Sequence, residues 1–222
     1  MTEFVLGVLS SLAATMMTVT GGLVASRRAR QWPTVLLSRL TALGVLRTYP
    51  RQRAANADLP GELQRARWVG VLAGRGNELT RDGFARMWRE AGPRLRSVRV
   101  LLPDPSGDAG SWLARRESAM RRFDPGMRPG LLADQVRANA AYLLEVVRQR
   151  EAVALRFYDL PNLYRIIITD SVAYITFYEP GEHGRNSPCV VARGPGLMYD
   201  FALGVFSAAW ECGRNAEEVS LN

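Results

Sequence analysis

Three short stretches of the chain hold residue types able to do chemistry. The first is Leu163-Tyr-Arg-Ile-Ile-Ile-Thr-Asp170, where Tyr164 and Arg165 open an apolar run that Asp170 closes. An arginine fork holds a phosphate at two points, and a nearby carboxylate can orient that fork. The second is Glu179-Pro-Gly-Glu-His-Gly-Arg-Asn-Ser-Pro188, a polar, turn-forming loop that carries His183, Arg185 and Asn186. Loops set on a rigid sheet are where sites collect, and these three side chains together can contact phosphate. The third is Gly74-Arg75-Gly76-Asn77, which follows an apolar run. Backbone N–H groups in such a turn can cradle an anion, with Arg75 and Asn77 as side-chain donors. Each stretch also has a plainer reading. Arg165 and Asp170 can be a strand-edge ion pair of little weight, His183 a solvated loop histidine, and the Gly-x-Gly a tight strand-to-helix turn. Asp104, between two prolines, reads as turn chemistry.

The elements that must position these residues follow from hydrophobic periodicity. Short apolar runs predict strands at 68–73, 97–102, 153–158, 164–169, 172–178 and 189–192. Spacing of three and four predicts helices at 80–91, 112–123, 131–150 and 197–212. Strands alternate with helices early and then follow one another in hairpins. That order predicts an α/β fold, a mixed β-sheet flanked by helices.

Composition narrows the chemistry. All 29 basic residues are arginine, which excludes a P-loop lysine and a Schiff base. One histidine and two cysteines without CxxC spacing leave no zinc cluster, so no metal and no cofactor is expected. Cys189 and Cys212 read as buried free thiols. The net charge of +8 is concentrated near the N-terminus: residues 27–67 hold nine arginines against Asp58 and Glu62, whereas 68–222 hold twenty against eighteen acids. That placement suits anionic lipid and argues against nucleic acid as a partner.

The N-terminus supplies a reason for the charge. Residues 4–26 carry no charged side chain, long enough for a helix to cross a bilayer core of about 30 Å. Arg27, Arg28 and Arg30 follow directly, so the expected topology is one transmembrane helix with the rest of the chain cytoplasmic, at the cell membrane. A signal peptide fits less well, because the positive charge follows the apolar run; Val24-Ala25-Ser26 keeps that reading open as a cleavage site. Residues 27–62 read as a basic juxtamembrane segment in which 33–49 form an amphipathic helix and 50–60 a polar connector. The α/β domain is then expected over 63–215, with 216–222 as a tail.

The 163–170 stretch, followed by Val172-Ala-Tyr-Ile-Thr-Phe177, resembles the core of the phospholipase D-like superfamily. The runs VGVLAGRGNEL, SVRVLLPDP, VALRFYDLP and FYEPGEHGRNSPCVV extend the likeness over roughly residues 63–212. It is similar in feel to the phospholipase D-like domain behind helix-turn-helix regulators of actinobacteria. The resemblance implies a bacterial protein and one half of a phospholipase D-like fold. It also implies a homodimer, because the family pairs two His-x-Lys-x4-Asp motifs. Anchored on Asp170, Leu163 stands at the position of the nucleophilic histidine and Arg165 at that of the lysine. Leucine cannot attack phosphorus. The expectation is therefore a membrane-tethered module in signalling or regulation that binds a phosphorylated ligand or a partner without cleaving it, a pseudoenzyme. Two alternatives stand beside it: a membrane-associated phosphodiesterase acting on lipid or nucleotide through His183 or another group, and a structural, partner-recruiting domain.

Overall fold

The computed structural model describes residues 37–38, 41–90, 94–161, 163–179 and 181–219. Eight strands form one mixed sheet: β1 (Val45–Tyr49), β2 (Trp68–Leu72), β3 (Ser97–Pro103), β4 (Val153–Tyr158), β5 (Tyr164–Thr169), β6 (Val172–Phe177), β7 (Cys189–Arg193) and β8 (Arg214–Asn215). Their spatial order is β1-β7-β6-β5-β2-β3-β4-β8. β2, β3 and β4 run parallel, and every other pairing is antiparallel.

The parallel strands need crossovers, and helices supply them. α1 (Gln52–Ala55) and α2 (Leu59–Arg65) precede β2; α3 (Asp82–Glu90) joins β2 to β3; α4 (Trp112–Met120) and α5 (Leu131–Gln149) join β3 to β4. The crossover helices pack on one face, where Phe84, Trp88, Leu132, Val136 and Leu143 close over Val69, Val71, Val100 and Ile167. The other face is covered by α6 (Leu197–Cys212), whose Ala202, Phe206 and Ala209 lie on Leu72, Ile166, Ile168 and Ile175. With both faces buried, the central strands read as unbroken apolar runs. Gly70 is where the α6 face comes closest, since a Cβ there would stand 2.9 Å from Phe206 Cζ.

The side chains of β5 alternate strictly. Ile166 and Ile168 point to the α6 face, and Ile167 lies in the crossover face. Tyr164 shares the α6 side, its ring edge-on to Phe177 and Phe201. Arg165 has the parity of Ile167 and is 3% exposed.

Three sequence expectations change. Residues 33–49 were expected as one helix, but Val45–Tyr49 form the edge strand β1, paired with β7 from Tyr49↔Cys189 to Val45↔Ala192. Val45 and Leu46 fit either period, and the open edge of β7 decides for the strand. The α/β unit thus takes in residues well before 63, with α1 and α2 in place of a structureless connector. Cys212 is exposed, and only Cys189 is buried. Asp104 is turn chemistry as expected: it accepts from the Ser106 backbone at 2.9 Å and from Ser106 Oγ at 2.6 Å, and it also holds Arg214 of β8. The expected transmembrane helix, 4–26, lies outside the described residues. Among those described, no helix is long and apolar enough to cross a membrane.

Candidate functional site

The parallel strands β2 and β3 end where antiparallel β5 begins, with Leu72 opposite Ile166 in the ladder. The chain leaving β2 must turn at once, and it does so through Gly74–Asn77. Gly76 adopts φ +81°, and a Cβ there would press to 2.8 Å from Leu102 Cδ2, so both backbone and space call for glycine. The turn is pinned from α5: Asn139 Nδ2 donates to Arg75 O at 2.8 Å and to Asn77 Oδ1 at 2.7 Å.

Beside this turn opens a cleft of about 300 Å³. Arg75, Arg81, Arg116, Arg165 and Arg185 line it, with Glu78 as the one carboxylate among the lining residues. Arg165 forms the floor. Its Nε lies 2.5 Å from Glu78 Oε1, and Glu78 Oε2 accepts from Gln52 Nε2 at 3.0 Å. The Arg165–Glu78 contact lacks hydrogen-bond alignment, and Arg165 Nη2, although buried, has no hydrogen-bond partner among the described residues. An orphaned guanidinium N–H in a buried position is costly, and a ligand acceptor is what relieves it.

The other cations are also short of partners. Among the described residues Arg75, Arg81, Arg116 and Arg185 form no ion pair. Arg75 Nη1 donates to Gln135 Oε1 at 3.2 Å, and Arg116 Nη2 to Glu182 O at 3.2 Å. Burial holds the guanidinium of Arg75 below its ordinary range, and the neighbouring charge of Arg185 pushes the same way. Burial likewise lowers Arg116, with a further push from Arg75. Tyr178 stands among them as a neutral post. Its hydroxyl bonds the Gly74 backbone, and burial pushes the phenol up to about 12. The ring sits between two glycines: a Cβ on Gly74 would meet its hydroxyl at 3.1 Å, and one on Gly184 its Cε1 at 2.6 Å.

The structure brings four of the eight candidate residues together here, Arg75, Asn77, Arg165 and Arg185. The other four go elsewhere. Tyr164 is on the opposite face of the sheet. Asp170 lies at the far end of β5, about 16 Å from Arg165 at 3.3 Å per residue. It accepts from the backbone N–H of Arg67 at 2.8 Å and of Trp68 at 3.4 Å, so it caps the entry to β2 and is no ion-pair partner of Arg165. Asn186 donates to Glu182 at 2.9 Å. His183 Nε2 is 3.1 Å from Asp124 Oδ2 and its ring is edge-on to Phe123; it is not among the cleft's lining residues. Leu163 is 60% exposed and also lies outside the lining.

Sequence reasoning missed Gln52, Glu78, Arg81, Trp112, Arg116 and Tyr178. Arginines 81 and 116 sit at helix entries and faces where arginine is ordinary, so only the excess of arginine over lysine hinted at them. No group of three potential metal ligands occurs among the described residues.

No family model matches the chain, and neither does any curated protein. Among solved structures, one similar to this chain is that of TrmBL2, an archaeal chromatin protein with a novel mode of DNA binding. The identity is 11% and the TM-score 0.47, over 92% of this chain and 68% of that one. Another is NucT from Helicobacter pylori, at 10% identity and TM-score 0.43, over 74% of this chain and 92% of that one. Likenesses this slight assign no activity to the chain. The expectation that nucleic acid is an unlikely partner is corrected on the arrangement of charge in the cleft, not on these likenesses. The structure supplies the physical reason that expectation failed. Charge was averaged along the chain, whereas folding gathers five arginines from positions 75–185 against one carboxylate in a single cleft.

Proposed function

We propose that the cleft binds a phosphate-bearing ligand and does not hydrolyse it. The observation that carries this reading is Arg165, buried on the cleft floor with Nη2 unpartnered. A buried guanidinium is kept where an anion completes its hydrogen bonds. Leu163, at the position of the family nucleophile, has no chemistry to offer, and the chain's single histidine is engaged with Asp124. The phospholipase D-like resemblance of the sequence belongs to this proposal. So does the tether: the uncharged residues 4–26 and the arginines after them would hold the module at a membrane, in a signalling or regulatory role.

The test is the unfolding temperature of the full chain against inorganic phosphate, phosphorylated headgroups, nucleotides and short oligonucleotides. A ligand at about a hundred times its dissociation constant adds about 2.7 kcal/mol. Stabilisation by a phosphate compound but not by its dephosphorylated counterpart is expected. The same samples, assayed with an activated phosphodiester, should show no turnover; hydrolysis abolished by His183→Ala would replace the binding reading with the phosphodiesterase one. Pelleting of the full chain with membranes, lost on deletion of residues 4–26, is the expected result for the tether.

A further inference from the structure

The cations of the cleft fall into two groups. Arg165 lies on the floor with Glu78 and Gln52. Arg75 and Arg116 are half-buried, each with its guanidinium bonded only to a neutral oxygen among the described residues. Tyr178 lies within electrostatic reach of Glu78, Arg165 and Arg75. Its ring occupies the space that side chains on Gly74 and Gly184 would otherwise fill.

We infer, building on the phosphate-binding reading, that this cleft takes a small molecule bearing a linked diphosphate, one phosphate group on Arg165 and the other on Arg75 and Arg116. The lining carries five arginines and one carboxylate, a surplus of four positive charges with Tyr178 neutral. A single phosphate monoester brings at most about two negative charges and leaves half of that surplus facing itself. A diphosphate ester brings about three and gives each cation group its own acceptor oxygens. The volume of about 300 Å³ is at the lower end for small-molecule pockets. A cleft of this volume holds one small molecule, whereas a polynucleotide would need a track of charges along its backbone. Trp112 and Met120 give the cleft an apolar wall for the group that the diphosphate esterifies.

The experiment is titration calorimetry on the full chain, at fixed ionic strength and with chelator, using orthophosphate, pyrophosphate, methylenediphosphonate and a short single-stranded oligonucleotide. Pyrophosphate and methylenediphosphonate should bind at least about tenfold more tightly than orthophosphate, which is about 1.4 kcal/mol. Arg165→Gln and Arg116→Gln should each bring the diphosphates down to the affinity of orthophosphate while orthophosphate still binds. Arg116 is bonded only to a backbone carbonyl, so its variant keeps the test readable if Arg165→Gln does not fold. Equal affinity for one and two phosphates, or a preference that survives both substitutions, overturns the diphosphate inference and leaves the phosphate reading in place. An oligonucleotide that outcompetes pyrophosphate, with affinity growing with its length, overturns it in favour of a nucleic-acid strand. Failure of every anion to bind removes the phosphate reading itself.

Discussion

The two ends of β5 treat charge in opposite ways. At one end Asp170 is fully employed: two backbone N–H groups reach its carboxylate and Arg67 lies 3.6 Å away. At the other end Arg165 is more deeply buried, yet its Nε contact with Glu78 is misaligned and its Nη2 has no hydrogen-bond partner among the described residues. The charge at Asp170 is satisfied by the fold, whereas the one at Arg165 is left open, as the proposed phosphate-binding role requires. Both residues came from one sequence stretch and looked equivalent there.

The largest way to break this contrast is to remove the partial partner at the Arg165 end. Glu78→Ala leaves a buried guanidinium without a counter-ion, expected to cost about 3–5 kcal/mol in denaturant unfolding. Saturating phosphate should restore part of that loss, because the anion takes the place of the carboxylate. If Glu78→Ala unfolds at the wild-type midpoint, Arg165 is solvated and the cleft floor is not what binds.

Gly184→Ala acts on Tyr178, which stands among the cations of the cleft. Its methyl would enter the space of Tyr178 Cε1, 2.6 Å away, and the neighbours must shift. Overpacking of this kind costs about 1–3 kcal/mol, and anion affinity should fall with it. Unchanged affinity in a destabilised Gly184→Ala protein would show that Tyr178 has no part in shaping the site.

Asp170→Asn tests the satisfied end. Losing a charged acceptor of two backbone donors should cost about 1–2 kcal/mol near neutral pH without changing anion affinity. Burial alone would raise the Asp170 carboxyl, but the backbone donors of Arg67 and Trp68 and the charge of Arg67 outweigh it and hold the folded-state value below the ordinary one. The stabilisation is therefore present above the unfolded-state value of about 3.9 and disappears as pH falls through the lower folded-state value. Wild-type and Asp170→Asn stabilities should converge in acid; a constant gap would mean that the carboxylate's charge is irrelevant. The smallest effect belongs to Arg67→Gln. Its guanidinium is 66% exposed and the pair is long, so the expected loss is below about 0.5 kcal/mol and fades with added salt.

Most of the sheet was legible in the sequence. β4, β5 and α6 occupy the residues their periodicity predicts, and β2, β3, β6, β7 and α5 differ by a residue at an end. These elements are buried on one or two faces, and burial is what imposes a period on a sequence. β1 was not legible, because an edge strand with exposed Arg47 and Thr48 carries no alternation distinct from a helix. β8 is two residues held by β4 and by the Arg214–Asp104 pair. In the site, the Gly74–Asn77 turn, Arg165 and Arg185 were visible because turn chemistry and an arginine opening an apolar strand stand out locally. Arg81, Arg116 and Glu78 carry no such mark.

The sequence by itself determined which residues form the buried strands and helices, and that lysine chemistry is absent. Those properties reside in single residues or in short periodic runs, and they need no knowledge of distant contacts. Tertiary structure alone decided that Arg165 pairs with Glu78 and not with Asp170, that Tyr164 turns away from the cleft, and that five arginines scattered over 75–185 share one cavity. Strand pleat sends neighbours to opposite faces, strand length sets the two ends of β5 apart, and the crossover connections bring distant loops to the same edge.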